Sequence, residues 1–317
     1  MGKWADYTVI SSDQDPDNLQ DYLDETMSDG GNPIAVHSYH FRPSPAGNLN
    51  EDDFAEYVGR KFVNFVLPPS EIEAAERPFR IAARYEPMKA LTDNDGKFGE
   101  IILYLLMEGE FDIPTITHKI ANKQSFAHEQ KGSDGLFYGV YEGEEFLGLG
   151  EAKFHDKKWK DGLRVAIKDI EKYHNDNSQR SLEEDLNIAS ATLDQEGFEG
   201  DNARRLQEIF DEGKSVSKIL HPIFVGYKRD DLHEIQTSSG SIDETNEKLK
   251  RIIEDENKLE YTKKKVEEHG SEIQKHVLLF MFLPVEDTTE FKKNLLTSIY
   301  TGATDPMDET ELIEMVK

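Results

Sequence analysis

The run Gly132-Ser133-Asp134-Gly135-Leu136-Phe137-Tyr138-Gly139-Val140-Tyr141, then Glu142-Gly143-Glu144-Glu145, then Phe146-Leu147-Gly148-Leu149-Gly150-Glu151-Ala152-Lys153-Phe154, decides how this chain is read. Two short aromatic and aliphatic segments flank a glycine-containing turn, the pattern of a β-hairpin. In an extended strand, residues two apart face the same side. Glu151 and Lys153 therefore project together, with Leu147 and Leu149 further back. That side passes from apolar to charged toward the strand's end, which puts a polar site at the rim of a core. Asp134 begins the partner strand, and in a hairpin the start of one strand lies opposite the end of the next. Asp134 is thus expected to meet Glu151 and Lys153 at one end of a sheet.

Before the hairpin, Lys97 to Glu108 reads as a helix carrying Ile101, Ile102, Leu103, Tyr104, Leu105, Leu106 and Met107. A helix apolar on all sides is buried, yet this one has Glu100 in its first turn, beside Gly99. A strand is expected over Ile113 to Ala121. After the hairpin comes a basic amphipathic helix, about Lys160 to Tyr173. Further strands are expected at Ile34 to Phe41, His221 to Lys228 and Val277 to Val285, the last stopped by Pro284. Phe54, Tyr57, Val58, Phe62, Phe65 and Val66 recur at helical spacing behind the acidic cap Asn50 to Asp53. Other helical stretches are 181–212, Ile242 to Lys275 and Glu290 to Tyr300. Residues 11–32 are acidic and rich in turn formers, residues 70–90 fit a short helix and then a strand around Phe79 to Tyr85, and Asp305 opens an acidic tail. Asp93-Asn94-Asp95-Gly96 reads as a turn, because Ile102 falls where a calcium loop needs its later Glu. The pattern predicts a mixed α/β (α+β) fold, with an N-terminal α/β extension over residues 1–90 and a main domain over 91–317.

Composition sets limits. The 317 residues hold 64 acidic and 37 basic side chains, a net charge of −27, and no cysteine. Thiolate zinc sites and disulfide scaffolds are excluded. A DNA-coating basic face is not expected, since non-specific DNA affinity comes from Lys and Arg displacing counterions. The longest apolar run, Val277 to Val285, is less than half of the ~20 residues a spanning helix needs. Acidic residues Asp6, Asp13, Asp15 and Asp17 stand where a signal peptide would be apolar, so a cytoplasmic protein is expected.

Carboxylates are hard oxygen ligands that suit Mg²⁺, which also takes waters and phosphate oxygens. A bound divalent ion lowers the pKa of a water and steadies charge on a phosphoryl group. A lysine ammonium beside it can hold the attacking water or stabilise developing charge. Asp134 with Glu151-Ala152-Lys153 is therefore a minimal kit for phosphodiester hydrolysis. Asp…Glu-x-Lys alone is a short pattern in so acidic a chain, and a Glu/Lys pair on a hairpin is commonly a solvated surface pair. The glycines before both acids and the buried helix bearing an acid supply the context.

With these residues the sequence resembles the PD-(D/E)xK nuclease superfamily, whose core is an acid-bearing helix, three strands carrying Asp and Glu-x-Lys, then a helix and a further strand. More narrowly it resembles the HamA family, the nuclease component of Hachiman anti-phage defence systems, through Gly132-Ser133-Asp134-Gly135, Gly150-Glu151-Ala152-Lys153 and the C-terminal order of strand, charged helix and Pro-terminated strand. The resemblance implies a Mg²⁺- or Mn²⁺-dependent deoxyribonuclease, held in check in complex with a superfamily 2 helicase, HamB. It implies metal ligation by Asp134 and Glu151, supported by Glu100, with Lys153 positioning water. Some superfamily members carry Gln-x-x-x-Tyr on the following helix; here the corresponding stretch offers Asp169 and Tyr173. A non-catalytic acidic subunit regulating a DNA-processing complex is the alternative, and an RNA-directed nuclease would share the same site. His118, His128 and His155 flank the region with spacing too loose for a metal set.

Charge is distributed unevenly. Lys153 to Lys172 holds seven basic and four acidic residues, and Asp112 to Asn175 nets −1, leaving −26 for the rest. Lys157, Lys158, Lys160, Arg164 and Lys168 are the expected DNA-backbone contacts, with Trp159 placed to lie against a sugar or base. The acidic bulk is expected to repel DNA until a partner delivers it.

Overall fold

Every residue of the segment Val277–Val285 is buried, as its unbroken apolar sequence requires, and it forms an inner strand of a seven-stranded sheet. The computed structural model describes residues 18–66, 96–117, 133–175, 200–211 and 219–302, with isolated positions 8, 186, 187 and 190. In chain order the strands are β1 (Leu23–Gly31), β2 (Ile34–Phe41), β3 (Thr115–Thr117), β4 (Gly135–Tyr141), β5 (Glu144–His155), β6 (Ile219–Lys228) and β7 (Val277–Val285). Across the sheet they run β1-β2-β7-β6-β5-β4-β3. Strands β2, β7, β6 and β5 are mutually parallel. Antiparallel β1 flanks them on one side and antiparallel β4, followed by β3, on the other.

The helices are α1 (Glu51–Lys61), α2 (Val63–Val66), α3 (Gly96–Gly109), α4 (Trp159–Asn175), α5 (Gly200–Asp211), α6 (Leu232–Ser238), α7 (Ile242–Glu254), α8 (Lys258–Glu267) and α9 (Thr288–Gly302). Strand alternation sorts them into two layers. Val277, Leu279, Met281, Leu283 and Val285 pack in one cluster with residues of α1, α3 and α9. Leu278, Phe280 and Phe282 point the other way, into a cluster with Trp159, Leu163, Ile167 and Ile170 of α4 and Val266 of α8. Parallel strands covered on both faces read as continuous hydrophobic runs. Burying each such Leu or Phe contributes roughly 1.5–3 kcal/mol. The segment from α3 through β3, β4, β5 and α4 to β6, with α5 added before β6, follows the helix, three-strand, helix, strand order of a nuclease-like core.

Three features differ from the sequence reading. The turn-rich stretch before residue 32 contains β1, whose Asp24, Glu25 and Asp29 belong to an edge strand with one solvated side; edge strands carry such charges and lose the hydrophobic signal. The charged stretch from Ile242 breaks into α7 and α8 at Asn257, which has left-handed backbone (φ 48°), and ends in a short 3₁₀ turn, Ile273–Lys275. Residues 18–66 lie in the same sheet as the rest, through β2 beside β7. The strand expected around Phe79 to Tyr85, the turn at Asp93 to Asp95, the strand beyond Thr117, much of 181–212 and the tail from Asp305 lie outside the described residues. No helix among the described residues is long and apolar enough to cross a membrane.

Glycine sets how closely α3 lies on the hairpin. A Cβ at Gly135 would stand 2.6 Å from the Tyr104 ring, and one at Gly150 would stand 2.8 Å from both Leu103 and Phe137. Gly150→Ala is expected to lower the unfolding free energy by about 1–3 kcal/mol through overpacking, measured as a lower urea midpoint. An unchanged midpoint would mean that α3 does not sit this close.

Candidate active site

Glu142 and Gly143 join β4 to β5, both with positive φ (49° and 84°), as a two-residue hairpin turn requires. The resulting register sets Gly135 opposite Gly150. Strand β4 begins there, while β5 continues to His155 paired only with β6. Asp134 occupies the step. Its N–H donates to the Gly150 carbonyl at 2.8 Å, and its Oδ2 accepts the Ala152 N–H at 2.9 Å. The carboxylate thus replaces the missing strand and is fixed beside Glu151. The Lys153 ammonium pairs with Glu151 and, at 2.9 Å, with Asp169 Oδ2 of α4. Asp134, Glu151 and Lys153 therefore meet at one end of the sheet. Asp169 completes the group from the covering helix.

The group holds more negative than positive charge. Burial pushes the Glu151 carboxyl up to about 8, and the neighbouring Asp134 and Asp169 charges add to this against the opposing pull of Lys153. Burial acts to lower the Lys153 ammonium, but Glu151, Asp169 and Asp134 outweigh it and raise the group above its ordinary value. Burial leads the Glu151 shift and opposes that of Lys153, while the crowding of three carboxylates around one ammonium raises both. A divalent cation between Asp134 and Glu151 would relieve that imbalance, and the all-oxygen donor set suits Mg²⁺ or Mn²⁺.

Glu100 lies on α3. Gly99 packs on Ala152 and Phe154, and Leu103 on Gly150, so α3 covers the face of β5 that alternates with Glu151 and Lys153. Tyr104, one turn after Glu100, donates its hydroxyl to the Asp134 carbonyl at 2.6 Å. Glu100 is thus on the helix that covers β5, buried, and both of its oxygens contact Lys97.

Lys157, Lys158, Lys160, Arg164 and Lys168 are all exposed. The first three border an open cleft of about 770 Å³ at the carboxyl ends of β5 and β6, which Asp156, Asp230 and Asp255 also line. Arg164 is paired to Asp161 at 3.0 Å, and Lys168 adjoins Asp169. Trp159 corrects an expectation. It is only 4 % exposed, edge-on to Tyr261 and Phe282 with ring centroids 5.2 and 5.6 Å away, so it packs the core and presents no face to a base. An amphipathic helix's first turn can bury a tryptophan among lysines, because their stems cover it; the Lys160 ammonium lies over both the Trp159 and Tyr261 rings.

His155 faces Gly162, with its Nε2 buried and without a hydrogen-bond partner. His118 and His128 lie outside the described residues. Tyr173 packs with the Leu147 and Leu149 cluster. Sequence reading left Asp169 without a role. Its signal was its place on the helix after Glu-x-Lys, four residues before Tyr173. It did not see His221 and His276, which meet His174 only through the fold and share no local spacing.

The model of the HamA family matches residues 17–299 of the chain. No curated protein matches it.

Glu151 binds its proton more tightly folded, at about 8, than at its ordinary 4.5. Without a divalent cation its contribution to stability is full below the lower value and is lost as pH rises through the upper one. Glu151→Gln removes that titration. In EDTA the variant is expected to melt above the parent protein at about pH 8.5 and to converge with it toward about pH 5. Parallel melting curves across this range would refute the raised Glu151 carboxyl.

Proposed function

We propose, for a chain that belongs to the HamA family, that Asp134, Glu151 and Lys153 form the active site of a metal-dependent nuclease that hydrolyses DNA phosphodiester bonds. Family membership makes the protein a component of a Hachiman anti-phage defence system, which acts through partner proteins. The finer reading adds a superfamily 2 helicase, HamB-like, as the partner that delivers DNA. One observation supports it above others: the two acids and the lysine meet where β4 stops and β5 runs on, within the strand order of a nuclease core.

The residues have distinct tasks. Asp134 and Glu151 would hold Mg²⁺ or Mn²⁺, which supplies charge neutralisation at the phosphate and a more acidic water. Lys153 holds the attacking water and opposes charge on the phosphoryl oxygens. Asp169 orients the Lys153 ammonium by its 2.9 Å contact. Tyr104 and the Ala152 N–H fix Asp134 through its carbonyl and its carboxylate. Lys157, Lys158, Lys160, Arg164 and Lys168 contact the DNA backbone beside the site, and the acidic remainder disfavours DNA binding by the isolated chain.

A second reading has its own support. Lys153 is held by two carboxylates and Glu100 by Lys97, as in a subunit that retains a nuclease frame and regulates a DNA-processing complex without cutting. The complex with the helicase, incubated with plasmid and Mg²⁺, separates the two. Asp134→Ala, Glu151→Ala and Lys153→Ala are each expected to reduce cleavage by about 10²-fold or more, and the isolated chain to lose cleavage steeply at physiological salt. Undiminished cleavage in these variants, or no cleavage at all with phage defence intact in all three, would overturn the nuclease reading.

A further inference from the structure

The fold brings together three histidines that lie far apart in sequence. His174 is in the last turn of α4, His221 lies in β6 and His276 immediately precedes β7. One ring nitrogen from each lies within 4.8 Å of the other two. The Nε2 atoms of His174 and His221 are 2.9 Å apart. His276 stacks on His174, with centroids 4.3 Å apart. His221 and His276 are 2 % and 8 % exposed.

Hydrogen bonds set the ring orientations. His221 Nδ1 lies 3.2 Å from the Leu149 carbonyl. A carbonyl only accepts, so Nδ1 carries the proton and the Nε2 lone pair points at His174. A backbone carbonyl fixing the far nitrogen of a histidine is the usual outer support of a metal ligand. His174 Nε2 must then donate to His221 Nε2, and the two lone-pair sites share one proton. Burial holds all three histidines below their ordinary value, with neighbouring rings adding to this at His174 and His221 and Lys275 at His276, so each is neutral near pH 7, the state that ligates metal. The cluster also sits at the C-terminal end of α4, where the helix dipole favours a cation, and the Glu272 carboxylate acts on His174 and His276 from outside.

We propose that His174, His221 and His276 form a nitrogen-ligand site for a transition-metal ion of the zinc class, separate from the carboxylate site. Imidazole suits Zn²⁺, Co²⁺, Ni²⁺ and Cu²⁺, whereas carboxylates suit Mg²⁺ and Mn²⁺. Tetrahedral ligation with bonds of about 2.0–2.1 Å sets nitrogens about 3.3 Å apart, so His174 and His221 need to separate only slightly. His276, whose ligand nitrogen lies within 4.8 Å of the others, must close on them, and its Nδ1 gives up the long 3.3 Å contact with the Ile219 N–H. On binding, the His174 proton passes through solvent from Nε2 to Nδ1, and the ring stays neutral. Glu272 or water fills the fourth position. The ion fastens the end of α4 to β6 and β7. Through Leu149, two residues before Glu151, it steadies the strand that carries the acid and the helix that carries Asp169.

The site is independent of the nuclease reading, and its test does not use cleavage. Untagged full-length protein, free of metal, is titrated with Co²⁺ and followed by visible absorption. We expect one equivalent to give the intense bands of tetrahedral cobalt, displaced by one equivalent of Zn²⁺. Asp134→Asn should leave the bands unchanged. His174→Ala, at the half-buried member of the set, should lower affinity at least about tenfold and abolish the rise in melting temperature on adding Zn²⁺; His276→Gln should do the same, with circular dichroism confirming that both variants are folded. No tetrahedral spectrum, a spectrum that survives His174→Ala in folded protein, or one lost in Asp134→Asn would overturn the proposal.

Discussion

The two-residue repeat of β5 governs this molecule. Its one face is Gly148, Gly150, Ala152 and Phe154, small enough near the hairpin for α3 to lie directly on the backbone. Its other face is Leu147, Leu149, Glu151 and Lys153, which runs from a hydrophobic cluster into a charged rim under α4. A one-residue slip would exchange the faces, burying the acid and the lysine under α3 and turning the packing surface toward α4. The glycines and the acids are thus parts of one device: the first fix the strand against a helix, and this fixes where the second project.

That device explains the charge of the site. Asp134 is drawn beside Glu151 because it caps the unpaired edge of β5, and Asp169 is brought down by the packing of α4. Fold stability comes from the apolar layers, so the cluster need not be stable by itself. Groups held together against their own repulsion are a mark of functional sites, though structural ion-pair networks also perturb pKa values. The acidic bulk of the chain fits the same account, because a protein that repels DNA at long range leaves access to be governed by partners.

Much of this was legible in the sequence. The hairpin declared itself through Glu142-Gly143 and the alternating aromatics, and the register then had to set Asp134 opposite Glu151. The inner strand β7 and the buried α3 were visible as apolar runs. Strand β1 was not, because an edge strand in an acidic segment carries no hydrophobic alternation. The break at Asn257 was not, because a left-handed residue between two charged helices leaves the periodicity nearly intact. The burial of Trp159 depended on Tyr261 and Phe282, which arrive from distant elements. How closely α3 docks on β5 depended on glycines that lie on another element. The histidine cluster is the extreme case, since three elements contribute one residue each.

The central claim is that Asp134 and Glu151 together hold a divalent cation at the end of β4 and β5. Crystals of the full chain grown with Mn²⁺ and measured at the manganese absorption edge test it most directly. The account predicts one strong anomalous peak bridged by the Asp134 and Glu151 carboxylates, absent in Asp134→Asn crystals. Diffraction that shows no peak between those carboxylates at saturating Mn²⁺, with Lys153 still filling the space, would contradict it.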